Sequence, residues 1–374
     1  MTLRHLDGFE GQRDVALFAR SYASTSGTIA SQSGQRIGNA IASNNLVVRT
    51  FDLLDGGADQ NVWVIGFAFR ATSTGWSNSA TTHPYFAFRN AGGEQIRLEI
   101  APSVQSFPGG SNYKIRVVRG STTLATSVQT FNGANADGSW TYFEFKVTVR
   151  TSTNGSFSAR YHDKKNRNQT VTWDAANTGV NTANQGADGA DRAEMSLSNN
   201  NTVTLALDNV YILDGAGSVN NDMIGEVEIE AMDVSSNGDT VQWLTNGGAA
   251  SLEDAWNESA IVQSTAEDDS RVSSYSVGQI SLATLTNPVF LRNVAIVGTQ
   301  MRVFARMEAS GTRDIQHFYR KTTGTPAQVG TKITTLSSTT IVCSTDTRET
   351  DPNTSAAWVV ADLDGLQVGV ELDA

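Results

Sequence analysis

The chain has 374 residues and carries 38 acidic against 27 basic side chains, a formal net charge of −11 at pH 7. A surface of that sign disfavours nucleic-acid binding, which requires concentrated Lys and Arg opposite the phosphates. The sequence contains no run of 18 apolar residues and no basic leader followed by an apolar stretch, so we expect neither membrane insertion nor a signal peptide.

The first part of the chain is predicted to be a succession of short β-strands. Apolar and polar residues alternate, and turn-forming clusters such as "NAGG", "FPGGSN" and "TNGS" separate the runs. Roughly ten antiparallel strands over about 200 residues are typical of a two-sheet jelly-roll sandwich. The predicted strands are 45–53, 61–70, 85–90, 95–101, 113–120, 140–150, 155–163, 169–175 and 202–214.

A domain boundary is predicted in "DGAGSVNNDMIG", where Gly, Ser and Asn replace the alternating pattern. Strands follow at 293–308, at 314–320 and in "AAWVVADL", with one short helix predicted around 252–256. The fold class is therefore expected to be all-β. We predict a jelly-roll domain over residues 1–216 and a smaller β-sandwich over 217–374 that serves assembly or attachment.

The segment "GEVEIEAMD" places three carboxylates, Glu226, Glu228 and Glu230, at alternate positions. On a strand they would share one face at spacings of roughly 7 Å. Paired carboxylates perform glycoside hydrolysis. The alternative is an ordinary half-exposed strand, with the intervening apolar residues in the core. We favour this alternative, because the segment falls after the predicted boundary and has a single tryptophan near it in sequence.

Several stretches together resemble a known family. "LDGFEG", "YKIRVVRGSTTLATS", "GSWTYFEFKVTVRTSTNGSFSARYHD" and "LALDNVYILDG" follow one another in the order found in concanavalin A-like (laminin-G-type) jelly rolls of bacteriophage virion proteins. "DGAGSVNNDMIGEVEIEAM" and "DPNTSAAWVVADLDGLQVGVEL" are similar to the second half of the same proteins. The resemblance covers nearly the whole chain, and it depends on the order of the pieces.

This resemblance implies a non-enzymatic structural protein on the virion surface, at the tail, collar, fibre or capsid decoration. It implies other virion proteins as partners and a homo-oligomer. Two alternatives remain: a glycan-binding adhesin that recognises the host cell surface, and a glycoside hydrolase. Glycosidases with this fold carry a Glu-x-Asp-x-(x)-Glu strand, and Glu228 stands where that pattern has Asp.

Two candidate binding sites follow from residue types. "TSTGWSNSATTHPYF" offers Trp76, His83 and Tyr85 in a polar loop, as a carbohydrate platform would, although Trp76 can equally fill the edge of the sandwich. "NQGADGADRAE" offers Asp188 and Asp191 as oxygen ligands for a structural Ca²⁺, although such clusters also form ordinary turns. No other cofactor is predicted.

Overall fold

The structure is a computed structural model in which the chain forms two compact units. The first unit contains the described residues up to Ile229, and the second contains those from Glu230 onward. The described residues are 2–9, 24–26, 30–33, 39–43, 45–50, 53–54, 57–71, 83–103, 112–132, 140–184, 186–197, 205–220, 222–246, 251–256, 271–288, 294–307, 313–321, 327–333, 336 and 342–373.

The first unit is built from antiparallel strands. In chain order they are β1 (Leu3–Asp7), β2 (Ser24–Ser26), β3 (Ala30–Ser33), β4 (Asn39–Ser43), β5 (Val47–Arg49), β6 (Val62–Ala71), β7 (Tyr85–Asn90), β8 (Gly93–Pro102), β9 (Asn112–Arg119), β10 (Thr122–Thr126), β11 (Phe131–Asn132), β12 (Thr141–Thr148), β13 (Gly155–His162), β14 (Gln169–Thr170), β15 (Thr178–Val180), β16 (Arg192–Ser196) and β17 (Leu205–Asp214).

These strands form two sheets within the described residues. The nine-stranded sheet has the order β14-β13-β12-β6-β17-β4-β3, with β1 beside β17 and β15 beside β13. The eight-stranded sheet has the order β10-β9-β8-β7-β16-β5-β2, with β11 beside β9. Some neighbours in each sheet come from distant parts of the chain, such as β6 beside β17 and β7 beside β16, so each sheet is completed only when both ends of the unit are present.

The core lies between the two sheets and is rich in aromatic rings. Phe67 on β6 stacks on Phe86 on β7, with ring centroids 3.7 Å apart, and this contact joins one sheet to the other. Alternation along each strand directs such residues inward. Burying a side chain of this size stabilises the fold by about 1.5–3 kcal/mol. The largest fully buried side chains of the unit are Trp63, Phe67, Phe69, Phe86, Phe88, Tyr113, Tyr142, Phe143, Phe145 and Tyr211.

The segment 222–229 covers the outer surface of the nine-stranded sheet. Met223 belongs to a buried cluster with Tyr142, Tyr211 and Leu213. The amide of Gly225 donates to the Glu144 carboxylate at 2.7 Å. Strand β17 is therefore buried along its whole length, with this segment on one side and the sandwich core on the other.

The strand predicted for "GEVEIEAMD" is wrong. Residues 225–233 form no strand. The amides of Gly225 and Ile229 donate to side chains, to Glu144 and to Asn209 Oδ1 respectively, instead of to a neighbouring strand. The alternation of charged and apolar residues has another cause: this segment crosses the nine-stranded sheet, and apolar side chains such as Val227 pack against that sheet.

In its described residues, the second unit has one main sheet, two separate two-stranded ribbons and two short helices. Its elements are β18 (Val234–Val241), β19 (Leu244–Asn246), α1 (Leu252–Trp256), β20 (Arg271–Ser273), β21 (Ile280–Leu285), β22 (Thr299–Ala305), β23 (Asp314–Arg320), β24 (Ala327–Ile333), β25 (Val342–Arg348), α2 (Val360–Leu363) and β26 (Gln367–Asp373). The sheet order is β18-β21-β26-β23-β24, and β22 pairs with β25. One buried hydrophobic cluster in this unit contains Met301, Tyr319, Trp358, Leu363 and Leu366.

The predictions for this unit had mixed outcomes. The short helix at 252–256 and the strand at 314–320 are confirmed. The strand predicted in "AAWVVADL" is wrong, because that stretch ends in α2, where Asp362 Oδ2 accepts from the Val359 amide. Of the helices in the described part of the chain, none is long and apolar enough to cross a membrane.

Candidate carbohydrate-binding face

The outer surface of the eight-stranded sheet carries a continuous array of charged and polar side chains. Along β7, β8 and β9 these residues alternate with buried apolar ones that fill the core. Because side chains on a strand alternate between its two faces, all of them point away from the core. We call this array, together with Ala87 at its centre, the polar face. Its charged and polar members are Arg49, His83, Tyr85, Arg89, Glu94, Arg97, Glu99, Lys114, Arg116 and Glu194.

Strand register aligns these residues in rows across the sheet. In one row Tyr85 pairs with Glu99, and Glu99 pairs with Arg116. In the next row Ala87 lies between Glu194 on β16 and Arg97 on β8. Ala87 is only 2% exposed, so the longer side chains around it cover its methyl group.

Glu194 is the centre of one hydrogen-bond network on this face. Its Oε2 accepts from Arg49 Nε at 2.9 Å and Nη2 at 2.5 Å. Its Oε1 accepts from the Tyr85 hydroxyl at 2.6 Å and from Arg89 Nη1 at 3.3 Å. The side chain is only 4% exposed, so its charge depends on the two guanidinium groups for compensation.

Arg97 is the centre of a second network. It donates to Glu94 at 2.5 Å and to Glu99 at 2.8 Å, and its guanidinium lies 5.7 Å from the centroid of the Tyr85 ring. Burial, followed by the hydrogen bond to Glu194, raises the pKa of Tyr85, so its hydroxyl stays protonated and acts as a donor. The Tyr85 ring thus connects the two networks.

His83 lies at the edge of the polar face, immediately before β7. Burial lowers the pKa of its imidazole, and the nearby Glu99 carboxylate opposes that shift. Its Nδ1 is buried and has no hydrogen-bond partner among the described residues. At neutral pH the ring is therefore uncharged and offers one donor and one acceptor nitrogen.

The three residues predicted to bind carbohydrate have different outcomes. The structure places His83 and Tyr85 together on the polar face. Trp76 lies outside the described residues and stays a prediction. Sequence reasoning missed Arg49, Arg89 and Glu194, which come from distant segments. The alternation within each strand could have predicted that these side chains point away from the core. It could not predict that they lie close together, because their proximity depends on cross-strand register.

The two residues predicted to hold calcium are engaged by arginine. Asp188 accepts from Arg150 Nη1 at 2.8 Å and from the Thr151 amide at 2.6 Å, and the Arg150 hydrogen bond is the largest cause that lowers the pKa of its carboxyl. Asp191 accepts two hydrogen bonds from Arg192, each of 2.7 Å. Among the residues that the structure describes, no group of three or more His, Cys, Asp or Glu side chains could hold a metal ion.

The carboxylates of the "GEVEIE" segment do not form a row on one strand face. Glu226 lies 3.2 Å from His162 Nε2, on the side of the nine-stranded sheet. The fully buried carboxylate there is Glu144, which is bonded to the Tyr211 hydroxyl at 2.5 Å. These groups lie on the opposite sheet of the sandwich from the polar face.

Comparisons with known proteins found likeness in structure only. No protein-family model matches the chain, and no curated protein matches it in sequence. A marine PL-14 alginate lyase from Aplysia kurodai is 10% identical with a TM-score of 0.41, over 57% of this chain and all of that chain. A carbohydrate esterase from Shiga toxin-encoding bacteriophage phi24B is 14% identical with a TM-score of 0.33, over 56% of this chain and 98% of that one.

The carbohydrate recognition domain of Emp47p is 9% identical with a TM-score of 0.32, over 52% of this chain and 88% of that domain. At such identities the likeness concerns the fold alone. The fold class predicted from the sequence is confirmed: the chain is all-β, and its first unit is a jelly-roll sandwich.

Proposed function

We propose that the chain is a non-enzymatic structural protein on the surface of a bacteriophage particle, and that its jelly-roll unit contacts host cell-surface glycan through the polar face. The order of sequence segments that resembles phage virion proteins supports the first part. The second part is carried by one observation: a preformed array of hydrogen-bond donors and acceptors centred on Glu194 and Arg97.

The arrangement of the polar face suits saccharide hydroxyls. A sugar hydroxyl both donates and accepts, and here one row across the sheet contains the guanidinium groups of Arg49 and Arg97 and the carboxylate of Glu194. Arg49, Arg97 and Tyr85 are already held by hydrogen bonds to their neighbours. Binding would therefore cost little side-chain entropy, which favours weak polar ligands such as glycans.

The pairing of the carboxylates supports a binding role over catalysis. Glycoside hydrolysis requires one carboxyl as acid and a second as base or nucleophile. On the polar face Glu194, Glu94 and Glu99 each accept hydrogen bonds from an arginine. These contacts hold the three carboxylates in fixed positions, as a binding surface requires, while burial raises the pKa of Glu94 despite its arginine partner.

A particle would present many copies of the protein. A homo-oligomer held by other virion proteins would convert weak single contacts into firm attachment through effective concentration. The second unit is proposed to provide the assembly contacts.

Immunogold electron microscopy of phage particles, with an antibody against the recombinant chain, tests the virion part of the proposal. Label at the tail, collar or capsid is expected. Label at the tail tip would further support receptor contact. Particles without label, from a lysate in which the chain is detected free, would overturn the virion assignment.

A further inference from the structure

The polar face has a net positive charge on an acidic protein. It carries five cationic side chains, Arg49, Arg89, Arg97, Lys114 and Arg116, against three carboxylates, Glu94, Glu99 and Glu194. The whole chain has a formal charge of −11. A local excess of cations on such a chain is a property of this face and not of the composition.

The excess is concentrated at β9. Glu194 is bonded to Arg49 and Arg89, and Arg97 is bonded to Glu94 and Glu99. These contacts account for three of the cations. The other two are Lys114 and Arg116.

Arg116 and Lys114 lie two residues apart on β9, both partly exposed. Among the described residues, no carboxylate lies within salt-bridge distance of either. Glu99 is the cross-strand neighbour of Arg116, but its Oε1 accepts from Arg97. Within the described part of the chain, the two cations therefore have no ion-pair partner.

The neutral His83 ring lies near Lys114 and Arg116. The Ile100 amide donates to the Pro84 carbonyl at 2.9 Å, which brings His83 to the edge of the sheet where Ala101 pairs with Lys114. Burial lowers the pKa of the imidazole, and Arg116 adds to that shift. Ala101, the neighbour of Lys114 on β8, is small. A planar guanidinium, an ammonium and an imidazole at one edge match a planar carboxylate, which accepts up to four hydrogen bonds.

We propose that the glycan bound by the polar face is acidic, with the carboxylate of a uronic-acid residue held at Arg116 and Lys114. The hydroxyls of the adjoining sugar then contact the Tyr85, Glu194 and Arg97 networks. This inference rests on the proposed function, because it names the class of glycan that the same face would bind.

The test uses the purified full-length chain and paired oligosaccharides. Each oligomer rich in glucuronate or galacturonate is compared by isothermal titration with its carboxyl-reduced, neutral counterpart. We expect the acidic member to bind at least tenfold more tightly, and its affinity to fall as salt rises from 50 to 500 mM. Arg116→Gln with Lys114→Gln is expected to abolish this preference, while Arg160→Gln on β13 of the opposite sheet preserves it.

The outcomes separate the two proposals. Equal binding of the acidic and neutral members, unaffected by the Arg116 and Lys114 substitutions, would overturn the acidic class and leave a glycan-binding face in place. No binding of either member across the panel would overturn both. Thermal melting of each variant verifies that a loss of binding is not a loss of fold.

Discussion

The ring of Tyr211 lies against Gly66 so closely that a β-carbon at position 66 would stand 2.0 Å from its Cε1 atom. The two residues are register partners on β17 and β6. Gly66 is also opposite Glu144 on β12. The missing side chain thus provides the space in which the Tyr211 hydroxyl reaches the Glu144 carboxylate.

Gly66→Ala is expected to destabilise the first unit by about 3 kcal/mol, because overpacking of a filled site forces side chains and backbone to shift. Urea denaturation followed by fluorescence measures the change. In a Tyr211→Leu background the same substitution should cost clearly less, since the clashing ring is gone. Equal costs in the two backgrounds would show that the close approach is not the cause.

Glu144→Gln is expected to loosen the segment 222–229 selectively. Glu144 is 2% exposed, and one of its oxygens accepts from both the Tyr211 hydroxyl and the Gly225 amide. The neutral amide is a weaker acceptor, so we expect a loss of about 1–3 kcal/mol. Hydrogen–deuterium exchange should show faster exchange at 223–229 and unchanged exchange in β7 and β8. Unchanged protection of 223–229 would contradict the anchoring role of Glu144.

Stability of the second unit is expected to fall in mild acid because of His317. This side chain is 2% exposed, and neither ring nitrogen has a hydrogen-bond partner among the described residues. Burial lowers its pKa below the usual 6.5. Asp346 opposes this shift and Arg348 adds to it. Below pH 6.5 the imidazole binds a proton in the unfolded chain but not in the folded chain. Stability therefore falls as the pH decreases from 6.5 to the lowered pKa of the folded state.

His317→Leu removes this proton linkage. Melting curves at half-unit steps from pH 8 to pH 4.5 should show a smaller decline for the variant than for the parent chain. Other groups titrate in both proteins, so the difference between the two curves isolates His317. Parallel curves would indicate that His317 is protonated in the folded state or that its pKa is ordinary.

Tyr85→Phe tests the connection between the two networks of the polar face. It keeps the ring beneath Arg97 and removes the hydroxyl that donates to the buried Glu194. We expect a loss of about 1–3 kcal/mol in stability, since Oε1 of the buried carboxylate loses the nearer of its two donors and keeps only Arg89 Nη1 at 3.3 Å. Thermal melting provides the measurement, and Tyr161→Phe on β13 is the matched control. A loss no larger than that of the control would show that Arg49 and Arg89 alone satisfy Glu194.

Local patterns in the sequence were sufficient to predict the strands in which apolar and polar residues clearly alternate. Tyr85–Asn90 and Asp314–Arg320 have the predicted bounds. The strands β3 and β4 were missed, because "ASQS" and "NAIAS" are short and have no marked alternation. Their place in the sheet comes from pairing with each other and with β17.

The segment "GEVEIE" and the polar face show why the remainder was not predictable. An alternating pattern is the same whether the backbone amides bond to a strand or, as for Gly225 and Ile229, to side chains. The polar face joins Arg49 to Glu194, which are 145 positions apart in the chain. Sequence reasoning proposed Tyr85 and His83 from residue type alone, and their neighbours on the polar face follow from cross-strand register.

The most direct test of the polar face is binding of host-derived surface polysaccharide to three forms of the full-length chain. These are the parent chain, Arg97→Met and Arg160→Met, the last being the same substitution on the opposite sheet. We predict that Arg97→Met weakens binding at least tenfold and that Arg160→Met binds as the parent does. Thermal melting should show that both variants are folded. Equal binding by all three forms, or a loss confined to Arg160→Met, would contradict the assignment of glycan contact to the polar face.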